Sequence, residues 1–283
     1  MTVLAYLPSP DRGVWHLGPV PIRAYALCIL LGVVVGVVWG DRRWRARGGR
    51  PGTVADLATI VVPAGIVGAR LYHVVTSPSA YLDDPVSVLY IWEGGLGIPG
   101  GIAGGAIAAW LLARRRGIRT AALCDALAPC LAVAQAIGRF GNWFNQELFG
   151  RPTTLPWGLE IDPDNPDAVA GAEAYHPTFL YEASWNVLLA AALVWADRRF
   201  RLGGGRVFAL YVGGYAIGRF WVEGFRIDDS ETFVGLRLNQ LVAVVALVGA
   251  LAFLTYRRGA GRELEVEPLA SDEAGSTTDS RTP

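Results

Sequence analysis

The sequence is poor in the residue types on which disulfide scaffolds and metal sites depend. Its three cysteines, Cys28, Cys124 and Cys130, lie in apolar blocks without CxxC spacing, so we expect packing roles and no disulfide framework. Its three histidines are scattered, and neither a metal site nor a cofactor motif is evident. Lysine is absent, and 25 arginines balance 25 acidic residues. The resulting net charge of zero gives no reason to expect a nucleic-acid partner.

Apolar residues are abundant and come in long blocks. They make up 52% of the 283 residues, and the mean hydropathy is +0.34. A helix that crosses the hydrocarbon core of a membrane needs about 20 apolar residues, and several blocks approach that length. The sequence therefore predicts an all-α integral membrane protein, a polytopic bundle of about seven transmembrane helices. The first block begins after Arg23 and an arginine cluster follows it, so we expect no cleavable signal peptide.

The arginines in the connections predict how the bundle is oriented. Segments 41–53, 113–120 and 197–206 hold five, four and four arginines, whereas 77–87 has none and 141–177 has only Arg151. Because positive loops stay in the cytoplasm, this alternation predicts an outer N-terminus and a cytoplasmic C-terminus. The predicted spans are 22–40, 54–76, 88–112, 121–140, 178–196, 207–224 and 236–256.

Two segments outside the spans have distinct compositions. The connection 141–177 is the one long outer segment, and its Pro, Asp and Trp content predicts a small folded cap on the outer face. Residues 259–283 are acidic and rich in small polar residues, which predicts a disordered cytoplasmic tail. The remaining 1–258 would form the transmembrane domain. No internal repeat is evident, which weakens a transporter interpretation.

A group of charged residues inside the predicted spans falls toward the outer leaflet. Buried charge in a bilayer costs about 2.5–3.5 kcal/mol per residue, so such residues tend to face a functional cavity. Arg219, Glu223 and Arg226 are spaced to share one helical face, either as site residues or as a structural ion pair. Arg70 either lines the same cavity or extends to the interface. Arginines suit phosphate, so a phospholipid headgroup is the expected ligand.

Span 3 contains a run of glycines at four-residue spacing. Gly97, Gly101 and Gly105 are four apart, as are Gly100 and Gly104, and such spacing is typical of closely packed helices. Pro99 lies inside this run, so we expect it to kink the helix and free backbone groups near the cavity.

Residues 138–150, GRFGNWFNQELFG, resemble the signature of the prolipoprotein diacylglyceryl transferases, G-R-x-G-N-x-x-N-x-E-x-x-G. All seven fixed positions match. Further segments resemble the family in the same order along the chain: IRAYAL (22–27), GARLYHV (68–74), EGGLGIPGGIAGG (93–105), HPTFLYE (176–182) and GRFWVEGFR (218–226). The resemblance covers roughly residues 15–256.

The resemblance implies an enzyme that moves the diacylglyceryl group of phosphatidylglycerol onto the thiol of a prolipoprotein lipobox cysteine. A thioether forms and glycerol phosphate leaves, in the bacterial cytoplasmic membrane with the active site facing the outer leaflet. Membrane lipids would surround it, and no cofactor is implied. The resemblance assigns the lipid phosphate to Arg139. The other residues that we expect to be catalytic are Asn142, Glu147, Arg219 and Glu223.

The remaining candidate residues are expected to bind substrate around that phosphate. They are Tyr25, Arg70, Asn145, Gly150, His176, Tyr181 and Arg226. The family's glycine run carries a histidine in some members, proposed as the base for the thiol, where this chain has Pro99. The base could then be His176, Glu147 or Glu223, or the arginines could lower the thiol pKa without a base. The alternative function is a transporter or flippase for an anionic lipid.

Overall fold

The computed structural model describes residues 6–18, 20–228, 232–233, 235–259 and 261. Seven α-helices occupy most of this part of the chain. They are α1 (Ala24–Arg45), α2 (Thr53–Thr76), α3 (Ile98–Arg115), α4 (Thr120–Asn145), α5 (Thr178–Phe200), α6 (Arg206–Glu223) and α7 (Leu238–Tyr256). Of the tail predicted over 259–283, only Gly259 and Gly261 lie within the described residues.

Two short hairpins precede helices α1 and α7. Strands β1 (Val14–Leu17) and β2 (Val20–Arg23) pair antiparallel before α1. Strands β3 (Thr232–Phe233) and β4 (Leu236–Arg237) pair in the same way before α7. Among the described residues, the regular secondary structure is therefore helical apart from these ribbons and a few isolated bridges.

Five of the helices, α1, α2, α4, α5 and α7, are long and apolar enough to cross a membrane. Helices α3 and α6 have 18 residues each and are not apolar enough to meet the same criterion. Glycines and two terminal arginines lower the hydropathy of α3, and α6 contains Arg206, Arg219 and Glu223. The helical membrane protein that the sequence predicts is confirmed. That α3 and α6 also cross the membrane stays a prediction.

Helix α4 lies at the centre of the bundle, where it packs against α1, α5 and α6. Helix α2 packs against α3, and α6 against α7. The α2–α3 contact depends on glycine, since a Cβ on Gly100 or Gly104 would collide with the backbone of Gly68 or Ala64. The close packing predicted for these two glycines is confirmed.

Helix α3 begins ten residues later than predicted, at Ile98 rather than 88. Residues 78–93 instead form three 3₁₀ turns, Pro78–Tyr81, Pro85–Leu89 and Ile91–Glu93. The expected kink at Pro99 is also wrong, because Pro99 lies in the first helical turn, where proline's missing N–H needs no partner.

Connections 46–52, 116–119 and 201–205 lie at one end of the bundle, the arginine-rich end. Buried carboxylates join the helices there. Asp197 lies 2.8 Å from an Nη of Arg43 and 2.9 Å from an Nη of Arg47. Asp125 accepts hydrogen bonds from the backbone N–H groups of Gly205 and Phe208, each at 2.9 Å, and so caps α6. These carboxylates tie α1, α4, α5 and α6 together.

We predict that Asp197→Ala strongly destabilises the protein. Removing one partner of a buried ion pair leaves the other charge uncompensated, at a cost of about 3–5 kcal/mol. Asp56→Ala is the matched control, because Asp56 is exposed and lies 3.8 Å from Arg116, a contact worth less than about 1 kcal/mol. Thermal unfolding in detergent should show a large fall in midpoint for the first variant alone. Equal midpoints for the two variants would contradict the prediction.

Candidate active site

The end of helix α4 folds back on itself. The helix terminates at Asn145, and Gln146 and Leu148 both have positive φ. The reversal places Glu147 beside Asn142, whose Nδ2 donates to Glu147 Oε1 at 2.6 Å. The backbone N–H of Glu147 also donates to the Asn142 carbonyl oxygen at 3.1 Å. An amide and a carboxylate are thereby fixed together at the helix terminus.

One buried carboxylate holds two arginines from different helices. Glu182, in the second turn of α5, has one oxygen 2.7 Å from Nε of Arg139 on α4. Its other oxygen accepts from Nη1 of Arg219 on α6 at 3.3 Å. Both arginine side chains keep some exposure, 21% and 16%, so they can meet a ligand. Arg139 Nη1 also approaches Asn142 Oδ1 at 3.4 Å, which links the pair to the end of α4.

A second carboxylate, Glu223, lies at the end of α6 and is fully buried. It forms ion pairs with Arg219 at 2.7 Å, Arg237 at 3.0 Å and Arg226 at 3.7 Å. The Asn239 amide donates to it at 3.1 Å. Arg226 lies beyond the last residue of α6, so the single helical face predicted for Arg219, Glu223 and Arg226 is wrong. The turn after α6 nevertheless returns the Arg226 guanidinium to the same carboxylate.

Arg226 and Asp228 form a bidentate pair at the edge of this cluster. Arg226 Nε and Nη2 donate to the two Asp228 oxygens at 2.7 and 2.8 Å. Burial alone would lower the pKa of Arg226, but hydrogen bonds to Asp228 and the nearby carboxylates raise it. Burial alone would likewise raise the pKa of Asp228, but the hydrogen bonds and charge of Arg226 lower it. Both side chains are therefore held in their charged forms.

Gly150 lets three chain segments meet beside the arginines. Its N–H donates to the His176 carbonyl oxygen at 2.9 Å, and it forms an isolated antiparallel bridge with Arg226. A Cβ at this position would lie 2.7 Å from His176 Cβ and 3.1 Å from the Phe225 carbonyl oxygen. Any larger residue would push the 146–177 connection away from the end of α6.

His176 and Tyr181 form a polar and aromatic wall next to Gly150. The Tyr181 hydroxyl lies 3.1 Å from His176 Nδ1 and accepts from Trp157 Nε1 at 3.1 Å. Burial, followed by the nearby Arg151 charge, lowers the pKa of His176. This favours a neutral imidazole near neutral pH.

Tyr25 and Asn145 flank the end of α4 on the side of the N-terminal segment. Tyr25, at the start of α1, packs against Gly141, where a Cβ would lie 2.6 Å from the Tyr25 ring. Tyr25 also lies within electrostatic range of Glu147 and Arg139. The Asn145 side-chain oxygen lies near Gly13 instead.

Comparison with known proteins identifies the family. The sequence profile of the prolipoprotein diacylglyceryl transferases matches residues 12–256. This chain belongs to that family. It is 56% identical to phosphatidylglycerol–prolipoprotein diacylglyceryl transferase 2 of Streptomyces coelicolor, over 99% of this chain and 88% of the relative. The transferase of Rhodococcus jostii is 52% identical over 95% and 79%, and that of Mycobacteroides abscessus 50% over 90% and 80%.

The family signature and the later polar segments thus converge on one end of the bundle. Hydrogen bonds and ion pairs connect six of the predicted site residues, directly or through Glu182: Arg139, Asn142, Glu147, Arg219, Glu223 and Arg226. Tyr25 borders this group, and Gly150, His176 and Tyr181 form its wall on the side of the 146–177 connection. Among the described residues, no group of His, Cys, Asp or Glu side chains could hold a metal ion.

Two residues central to this network, Glu182 and Arg237, were not predicted as site residues. A carboxylate in an apolar span is expensive and often functional, so Glu182 carried a usable signal. Arg237 precedes its helix and resembles any interfacial arginine in sequence, so only the tertiary contact with Glu223 distinguishes it.

Arg70 makes its hydrogen bonds to a different segment from the connected site residues. Its side chain is buried and donates to the carbonyl oxygens of residues 87, 88, 90, 94 and 95, the connection that precedes α3. Its guanidinium also lies 5.0 Å from the Tyr81 ring centroid. These contacts organise the connection and leave the substrate-binding role a prediction without a supporting contact.

We predict that Arg70→Met lowers the unfolding free energy by about 3 kcal/mol, because each buried acceptor left without a donor costs about 1–3 kcal/mol. Thermal unfolding should show the loss, with Arg115→Met, an exposed arginine at the other end of α3, as control. An unchanged midpoint combined with weaker phospholipid binding would instead support the substrate-binding role.

Proposed function

We propose that the protein transfers the diacylglyceryl group of phosphatidylglycerol to the lipobox cysteine of prolipoproteins. The cysteine sulfur attacks the CH₂ carbon of the diacylglyceryl group that bears the phosphate. A C–S bond forms, the C–O bond breaks, and its electron pair leaves with glycerol phosphate. The thiol proton passes to a base.

The observation that carries this proposal is the pair of arginines braced by Glu182. Arg139 and Arg219 come from different helices, yet one carboxylate holds them together in a largely buried setting. Guanidinium groups present several N–H donors in a plane, which matches phosphate geometry. The contacts with Glu182, Glu223 and Asn142 leave further donors on both groups for a ligand.

Two fixed arginines would act most strongly in the transition state. Negative charge grows on the phosphate oxygen as the C–O bond breaks, and preorganised cations in a water-poor site stabilise that charge. The Asn142–Glu147 pair fixes the end of α4 that carries Arg139. We place Tyr25 at the lipid side of the phosphate, and Asn145 and the wall of Gly150, His176 and Tyr181 around the substrates.

The geometry narrows the choice of proton acceptor for the thiol. Glu223 is fully buried among three arginines and Asn239, so a substrate thiol cannot reach it. Glu147 has one oxygen bonded to Asn142, and neutral His176 offers a ring nitrogen. We therefore keep Glu147 and His176 as the two candidates and remove Glu223.

We further propose a location and an orientation. Residues 1–258 would form a transmembrane domain in a bacterial cytoplasmic membrane, with all seven helices crossing it. The arginine-rich end would face the cytoplasm by the positive-inside rule, together with the C-terminus. The N-terminus, the 146–177 cap and the active site would then face the outer leaflet. Phosphatidylglycerol enters from that leaflet, and the lipobox segment arrives from a translocated prolipoprotein.

We predict that Arg139→Ala lowers kcat/KM for transfer at least about a hundredfold, the scale of removing one preorganised charge donor. The assay incubates purified protein with phosphatidylglycerol and a lipobox peptide and follows the peptide mass. Arg139→Lys should recover only part of the activity, because an ammonium cannot hold Glu182 and phosphate with one planar fork.

Arg116→Ala provides the matched control, since Arg116 lies on the surface at the arginine-rich end and should leave turnover unchanged. Near-normal transfer by Arg139→Ala would refute the phosphate role. Transfer by neither variant nor the unmodified protein would refute the proposed reaction itself.

The orientation predicts which positions a membrane-impermeant maleimide can label in intact cells. In a background with the three native cysteines changed to alanine, Asp164→Cys in the cap should react before permeabilisation. Arg116→Cys should react only afterwards, because it would face the cytoplasm. Labelling in the opposite order would overturn the orientation while leaving the reaction untouched.

A further inference from the structure

A small cavity lies behind the arginine pair, between helices α5 and α6. Its volume is about 10 Å³, and its lining residues are Glu182, Trp185, Asn186, Tyr215, Gly218 and Arg219. A space of about this size admits one water molecule or one hydroxyl group. Two of its walls, Glu182 and Arg219, belong to the ion-pair network already described.

The cavity contains a polar group without a partner. Asn186 is 1% exposed, and its Oδ1 has no hydrogen-bond partner among the described residues. Buried amide oxygens are almost always hydrogen-bonded, so an unpaired acceptor on a residue that lines a cavity points to a site for a small hydrogen-bonding group. An amide can both donate and accept, and so can a hydroxyl, which makes a hydroxyl group the natural complement of Asn186.

The packing of Trp185 against Gly218 defines one wall of this cavity. Trp185 packs where Gly218 has no side chain, since a Cβ there would collide with the indole. The indole N–H donates to the Gly214 carbonyl oxygen at 2.9 Å, which fixes the ring as one wall. Because Asn186 follows Glu182 by four residues on α5, its amide lies one helical turn from the carboxylate that braces both arginines.

We propose that this cavity is a subsite for a hydroxyl of the lipid headgroup, with Asn186 as a residue that determines headgroup specificity. The inference rests on the proposed function, because it takes Arg139 and Arg219 as the phosphate site. A headgroup attached to that phosphate extends only a few bonds from it. A glycerol hydroxyl can therefore enter the cavity beside Arg219 and donate to Asn186 Oδ1, which remains unpaired when the headgroup has no hydroxyl.

The test compares two lipids that differ only in the headgroup hydroxyls. Phosphatidylglycerol and phosphatidylpropanol have the same phosphodiester, charge and three-carbon headgroup. The unmodified protein should transfer from phosphatidylglycerol with a kcat/KM about tenfold to a hundredfold higher, the range expected when a buried polar group is left unpaired. Asn186→Leu should lose that preference, because kcat/KM should fall for phosphatidylglycerol and stay unchanged for phosphatidylpropanol.

Matched variants separate this role from a structural one. Asn186→Ala is a milder change. If the leucine variant folds poorly, the same ratio of kcat/KM for the two lipids is measured with the alanine variant. Gln135→Leu removes another half-buried amide, which accepts from the Tyr211 hydroxyl at 2.9 Å and does not line this cavity, and it should keep the preference.

Three outcomes would overturn the proposal. The unmodified protein could use both lipids equally, or the Asn186 variants could slow both lipids by the same factor, which would mean that the cavity holds only a structural water. The Gln135 variant could also lose the preference, which would mean that Asn186 is not its source. Failure of the unmodified protein to use either lipid would instead refute the transferase function.

Discussion

The site depends on buried carboxylates that hold arginines in an apolar bundle. Glu182 and Glu223 are both buried, and each contacts at least two arginines. An unpaired charge among these helices would cost several kcal/mol, so each arginine at this end is acceptable only while its carboxylate is in place. The ion pairs do more than neutralise charge. They join α4, α5, α6 and the start of α7, so the position of each guanidinium is determined by helix packing.

Helix positions were largely predictable, because apolar block length and arginine clusters follow directly from the chemistry of the membrane. The exception, residues 88–97, shows the limit of that reasoning. The segment is apolar enough to resemble the start of a span, yet its backbone carbonyls bond to the Arg70 guanidinium instead of to helical N–H groups. Hydropathy reports how apolar side chains are and cannot report a tertiary donor that lies elsewhere in the sequence.

The candidate site was predictable where its residues are close in sequence. The signature places Arg139, Asn142 and Glu147 within nine residues, and a helix end suffices to bring them together. The partner of Arg139 lies 43 residues further on, at Glu182, and pairing across that distance depends on how α5 packs against α4. Arg70 and Arg139 look alike in sequence, each an arginine near the end of an apolar block. Their surroundings in the fold differ: Arg70 organises a connection, whereas Arg139 pairs with Glu182 and keeps part of its side chain exposed, where we propose that it meets the lipid phosphate.

Glycine is what allows these distances to be short. Gly141 admits the Tyr25 ring against α4, Gly150 admits His176 and the Phe225 backbone, and Gly218 admits the Trp185 indole. Each of these contacts lies close to the arginines, and in each a single methyl group would collide with the neighbouring side chain or backbone. An ion pair tolerates shifts of about an ångström, whereas a side chain packed directly against a glycine does not. The glycines therefore determine the precise positions of the segments around the arginines. The ion pairs compensate the charges that are thereby brought together in an apolar bundle.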